Sequence, residues 1–191
     1  IRLSTTVGAT PEYLRDFGRE VSPGQTTHHL TLYRAGSGAL VFSAGTIQWA
    51  WGLDSVHDGV RSPADPAMQQ ATMNLFADMG ILPATTMAGM QTPTPSGDHQ
   101  PPTAQITSPA AGATVASGTS VTVTGTATDA GGGRVAAVEV STDGSTWRRA
   151  EGTTAWSYTF PATGAGSTTI RVRAIDDSVN IAPSPATRVL A

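Results

Sequence analysis

Between residues 103 and 191 apolar and polar side chains alternate with a period of two, in short runs broken by Gly and Asp. Val121 and Val123 alternate with Ser120, Thr122 and Thr124, and Ile170, Val172 and Ala174 with Thr169, Arg171 and Arg173. Val135, Val138 and Val140 supply a third apolar row. Successive side chains of a strand point to opposite faces, so the pattern predicts strands with one buried face. They are expected at 104–107, 120–128, 134–141, 146–150, 157–160, 168–174 and 187–190. Turns are expected at Ser117-Gly118, Asp129 to Gly133, Asp143-Gly144 and Gly164 to Gly166. About seven short strands with regular turn signals describe a sandwich of two antiparallel sheets.

The pattern changes on the other side of Gln91 to Pro102, which reads QTPTPSGDHQPP. Four Pro residues among polar neighbours cannot continue a helix or a central strand, so residues 91–102 read as an extended linker. Before it, HHLTLYRA from His28 and ALVFSA from Ala39 flank the turn Gly36-Ser37-Gly38 and predict a hairpin or two neighbouring strands. Asp65 to Met79 predicts a helix. Asp65 suits the N-cap, Pro66 the first helical position and Gly80 a left-handed C-cap, and Met68, Ala71, Met73, Leu75, Phe76 and Met79 give an apolar face. A helical turn is expected after Pro11, within residues 10–20. Three strands and one helix leave a sheet face open, so residues 1–90 read as the C-terminal piece of a larger α/β domain.

Composition narrows the function classes. The net charge is −3, every basic residue is Arg, and no basic run interleaves with aromatics, which argues against a nucleic-acid partner. No Cys is present, so disulfides, thiolate metal sites and Cys nucleophiles are excluded. No apolar run reaches membrane-spanning length. Charged residues are only 13%, and Thr and Val are abundant, as suits β-rich extracellular modules. The chain begins at Ile1, and we expect it to be part of a longer protein.

Two resemblances sharpen these expectations. PPTAQITSPAAGATV, SVTVTGTATDA, VEVSTDGSTWRRA and TTIRVRAIDDSVN make residues 103–191 resemble bacterial immunoglobulin-like modules. VEVSTDGSTW also resembles the dimerisation domain of molybdenum-cofactor oxidoreductases, which implies a dimerisation role as one alternative. HHLTLYRAGSGALVFSAGTIQWAWGLD, then His57-Asp58, then DPAMQQATMNLFADMGI make residues 26–84 resemble the C-terminal region of the N,N-dimethylformamidase large-subunit family. That resemblance implies a glutamine-amidotransferase-like α/β segment, here followed by an immunoglobulin-like sandwich. The amidase of that family holds iron with Tyr and Glu side chains. Tyr13, Tyr33, Glu12 and Glu20 are the only such residues in the first half, and none sits in a matching motif. Amide hydrolysis is therefore not carried over.

Four groups of residues merit weighing as sites. Asp54, His57 and Asp58 in WGLDSVHDG place a His between two carboxylates, a set that can bind a metal ion or work as an acid–base pair, with His28 and His29 as further ligands. The plainer reading is a loop whose carboxylates cap turns. Trp49 and Trp51 share a face if the chain is extended, and would stack on a sugar or a partner domain, or else pack in the core. Asp129, Asp176, Asp177 and Asn180 offer oxygen ligands to calcium, or simple turn chemistry. Trp147 and Trp156 suit sugar stacking or packing at the sandwich edge. No nucleophile elbow, phosphate loop or HExxH is present.

The expectation is an accessory, structural region of a larger bacterial protein that is extracellular or on the cell surface. Its partners would be the rest of that parent and a glycan or protein. Alternatives are part of a metal-assisted amidase or hydrolase, and a dimerisation module.

Overall fold

The structure, a computed structural model, describes residues 1–59, 61–163 and 166–191. The turn expected at Gly164 to Gly166 falls outside the described residues except for Gly166. The chain divides into two compact units, Arg2–Gly97 and Asp98–Ala191, with Ile1 grouped with the second.

The first unit corrects the α/β expectation. Its strands β1 (Arg2–Arg15), β2 (Glu20–Arg34) and β3 (Leu40–Ser43) form one sheet in the order β1-β2-β3. Both pairings are antiparallel, with Thr6 opposite His28 and Thr31 opposite Ser43. An α/β domain needs parallel strands joined by crossover helices, whereas these strands are joined by short turns and the helix follows the sheet. Of the helical turn expected in residues 10–20, the ribbon β1–β2 leaves a single 3-10 turn at Asp16–Gly18, with Phe17 at non-helical φ and ψ. Pro11 and Pro23 do not interrupt the ribbon, because both fall where the register shifts between Thr10 and Tyr13 and no ladder hydrogen bond is required of them. The connecting turn puts Asp16, Phe17 and Gly18 at positive φ, and Phe17 is fully exposed.

The helix follows its sequence signals. In α1 (Pro66–Asp78) the Asp65 carboxylate accepts from the backbone N–H of Ala67 at 2.8 Å and of Met68 at 3.2 Å. At the other end Gly80, φ +82°, donates to Ala77 O and Ile81 donates to Phe76 O, a Schellman closure. The Pro-rich stretch lies along this helix. Gln70 exchanges two hydrogen bonds with the Gln91 backbone, and Asp78 accepts from Ser96 N.

The second unit is the sandwich. Its strands are β4 (Thr103–Ser108), β5 (Ser120–Thr128), β6 (Val135–Ser141), β7 (Arg148–Arg149), β8 (Glu151–Gly152), β9 (Ala155–Pro161), β10 (Thr168–Asp176) and β11 (Ala186–Leu190). One sheet runs β4-β5-β9-β8 and the other β11-β10-β6-β7, all antiparallel. The strand expected over 146–150 shrinks to two residues, because the chain changes sheets at Ala150. That residue is buried, and its N–H donates to Val138 O at 2.8 Å. The inward rows Val121 and Val123, Val138 and Val140, and Ile170, Val172 and Ala174 fill the space between the sheets with Ile106, Trp156 and Leu190. The outward face of β4-β5-β9 carries Thr hydroxyl pairs, Thr103–Thr128, Thr107–Thr124 and Thr122–Thr159.

Trp156 is 3% exposed and lies opposite Gly125. A Cβ at Gly125 would run into the Trp156 ring and the Gln105 carbonyl. Overfilling a packed core costs about 1–3 kcal/mol. Gly125→Ala is therefore expected to lower the urea midpoint of the sandwich by an amount in that range, whereas Gly118→Ala, with open space around it, leaves the packing of Trp156 as it is. Equal loss in the two variants, corrected for the positive φ of Gly118, would contradict this packing.

Candidate functional site

The loop singled out in the first unit is built around a 3-10 turn, Trp49–Gly52, and not around extended chain. The two indoles therefore have separate neighbours. Trp49 donates from Nε1 to Thr72 Oγ1 of α1 at 3.1 Å and meets the Phe42 ring edge-on at 5.4 Å. Trp51 stacks on His57, centroids 4.7 Å apart and planes within 7°. Both are half-buried.

His57 has Nδ1 2.9 Å from the Asp58 carbonyl and Nε2 3.3 Å from Ser62 Oγ. Asp54 accepts from Val56 N at 2.7 Å, a turn cap. Thus His57 meets the main chain of Asp58, not a carboxylate. His28 and His29 diverge, as strand neighbours must: Nε2 of His28 is 2.6 Å from Ala44 O, and Nδ1 of His29 is 3.0 Å from Thr5 Oγ1.

Among the described residues, the grouping of carboxylates and imidazoles able to share one ion lies in the sandwich. Ligand atoms of Asp98, Asp129 and Asp176 are all within 4.8 Å of one another. Three segments bring them together. Asp98 opens the unit, Asp129 follows β5, and Asp176 ends β10. Asp176 is fully buried, and Asn180 donates to it from N at 2.8 Å and from Nδ2 at 2.9 Å. The same Nδ2 reaches the Asp98 carbonyl at 3.1 Å. Burial pushes the Asp176 carboxyl above the usual range, the Asn180 hydrogen bonds oppose that, and the charge of Asp98 adds to it. Asp177 is engaged by Arg134, whose N is 3.1 Å from Oδ1 and whose Nε is 3.3 Å from Oδ2. Of the residues weighed from sequence, Asp129 and Asp176 meet and Asn180 supports them. Asp98 was missed because it belongs to the Pro-rich stretch read as linker.

Trp147 covers Arg173, whose guanidinium carbon is 4.1 Å from the ring centroid. Arg173 also forks onto Glu139 Oε2 through Nη2 at 2.7 Å and Nε at 2.8 Å. Trp156 belongs to the core.

A closed two-sheet sandwich with polar loops is a module of the immunoglobulin class. Residues 102–181 match the bacterial Ig domain family. Among solved structures, the fibronectin(III)-like modules of Clostridium thermocellum CbhA are 22% identical, with a TM-score of 0.39 over 46% of this chain and 93% of theirs. An engineered protein is 25% identical, TM-score 0.34, over 56% of this chain and 23% of its own. Domains 4 and 5 of the S-layer protein SbsC are 13% identical, TM-score 0.32, over 99% of this chain and 97% of theirs. No curated protein matches. None of the comparisons supports the resemblance of residues 26–84 to the dimethylformamidase family. No helix among the described residues is long and apolar enough to cross a membrane.

The turn that presents Trp147 depends on one carboxylate. Asp143 accepts from Thr146 N at 2.6 Å, Ser145 N at 2.8 Å and Ser141 Oγ at 3.1 Å. The amide donors at Thr146 and Ser145 hold its carboxyl well below the ordinary value of 3.8. A depressed carboxylate contributes stability in full above its unfolded value and loses it as pH falls below that value. The gap in urea midpoint between the wild type and Asp143→Ala is therefore expected to be widest near neutrality and to narrow as pH drops below 3.8. A gap that does not change with pH would contradict this role.

Proposed function

We propose that this chain is an accessory region of a larger protein exported by its bacterium, with the sandwich serving as a spacer and interaction module. The observation that carries the reading is the sandwich interior, packed with aliphatic side chains from both sheets and matched to the bacterial Ig domain family. Such a module offers a partner its faces and loops, not a cleft. Its outward Thr rows and its Trp147–Arg173 surface suit a glycan or another protein.

The first unit supports the larger parent. Leu32, Ala77 and Pro93 are its only buried apolar side chains among the described residues, while Leu14, Phe17 and Val21 on the ribbon β1–β2 are exposed. Three buried side chains do not offset the ordering of some ninety residues, so we assign the rest of the parent protein as the partner that completes this unit.

The test uses the purified chain in three assays: sedimentation velocity, retention on insoluble cell-wall glycans, and turnover of small amides. The expected result is a monomer without amide turnover, and retention would identify a glycan as partner. Amide turnover lost in His57→Ala would overturn the accessory reading.

A further inference from the structure

The geometry points to a calcium site formed by Asp98, Asp129 and Asp176, which ties the start of the sandwich to the ends of β5 and β10. The proposal does not depend on the spacer reading.

Three observations carry it. First, the ligand atoms of three carboxylates lie within 4.8 Å of one another. Calcium takes oxygen ligands at about 2.3–2.6 Å, so two ligands of one ion are at most about 4.6–5.2 Å apart. The span fits one such ion.

Second, Asp129 Oδ2 exposes less than 1 Å² and receives no hydrogen bond among the described residues. Its partner oxygen Oδ1 is occupied by Gly131 N at 3.3 Å. A buried carboxylate oxygen without a donor is costly, and a cation is the partner that removes the cost. Asp176 is fully buried beside it, and its hydrogen-bond donors are uncharged, Asn180 and the Ser178 backbone. The nearby cation Arg134 is committed to Asp177 and is itself exposed.

Third, the loop after Asp129 is shaped to leave this space open. A Cβ at Gly133 would collide with Asp177 Oδ1 and sit 2.7 Å from Asp98 Oδ2 and 3.1 Å from Asp129 Oδ2, and a Cβ at Gly131 would collide with the Asp98 carboxylate. Three carboxylate oxygens thus face the same backbone position, of which Asp177 Oδ1 already accepts from Arg134 N. Only oxygens converge there, which selects a hard cation over zinc or copper.

The full chain, stripped with chelator, is titrated with calcium chloride and followed by calorimetry and thermal unfolding. The expected result is one ion bound per chain and a rise in the melting temperature of the sandwich of about 5–10 °C once calcium exceeds its dissociation constant tenfold. Asp129→Asn keeps the shape of the side chain and is expected to lose both the heat and the shift. Asp54→Asn, in the other unit, keeps both. If Asp129→Asn does not fold, Gly133→Ala replaces it, with the same loss expected. No heat and no shift in the wild type up to about 10 mM calcium, beyond the weak end of known oxygen-ligand modules, would overturn the site. So would an undiminished shift in Asp129→Asn.

Discussion

Burial of the aliphatic rows of β5, β6 and β10 against one another is the contribution on which the second unit depends. Val123, Val138, Ile170 and Val172 are wholly excluded from solvent. Each such side chain stabilises the fold by about 1.5–3 kcal/mol relative to exposure. No disulfide adds to this, since the chain has no Cys. The loops inherit their geometry from these rows. Asp129 and Asp176 stand close because β5 and β10 end at the same edge of the packed core. Trp147 reaches Arg173 because the Asp143 turn and β10 are fixed by the same packing.

The first unit shows the contrary case. Its hydrogen bonding is regular, with a long ladder between β1 and β2, yet almost none of its side chains is buried. Backbone pairing satisfies donors and acceptors without removing much apolar surface from water. A ribbon of this kind has a defined path and little stability of its own.

How far these features were legible follows from the range of the forces involved. The helix was readable to its ends, because Asp65, Pro66 and Gly80 act on neighbours within four residues. The sandwich strands were readable because alternation is local and their cores are consistent. The α/β reading of the first unit failed at a longer range. A strand–turn–strand–helix string looks alike whether its strands pair antiparallel or belong to a parallel sheet, and only pairing decides. The ribbon β1 was hidden by Pro11, whose position at a register shift cannot be seen in one strand alone. The acidic group was half legible. Asp129 and Asp176 lie in turns that the pattern marks, while Asp98 stands 31 positions earlier in a Pro-rich stretch, and only the closing of the sandwich brings it near.

The crossing at Ala150 has a consequence for assembly. By moving from one sheet to the other within a single residue, the chain leaves β7 and β8 only two residues long, and surrounds the crossing with Arg148, Arg149 and Glu151. Each of these strands is the border of its sheet. Borders so short and so charged give a second copy nothing to zip onto. Strand exchange between copies is thereby blocked at this side of the sandwich, and the longer borders β4 and β11 at the other side are the edges left for pairing.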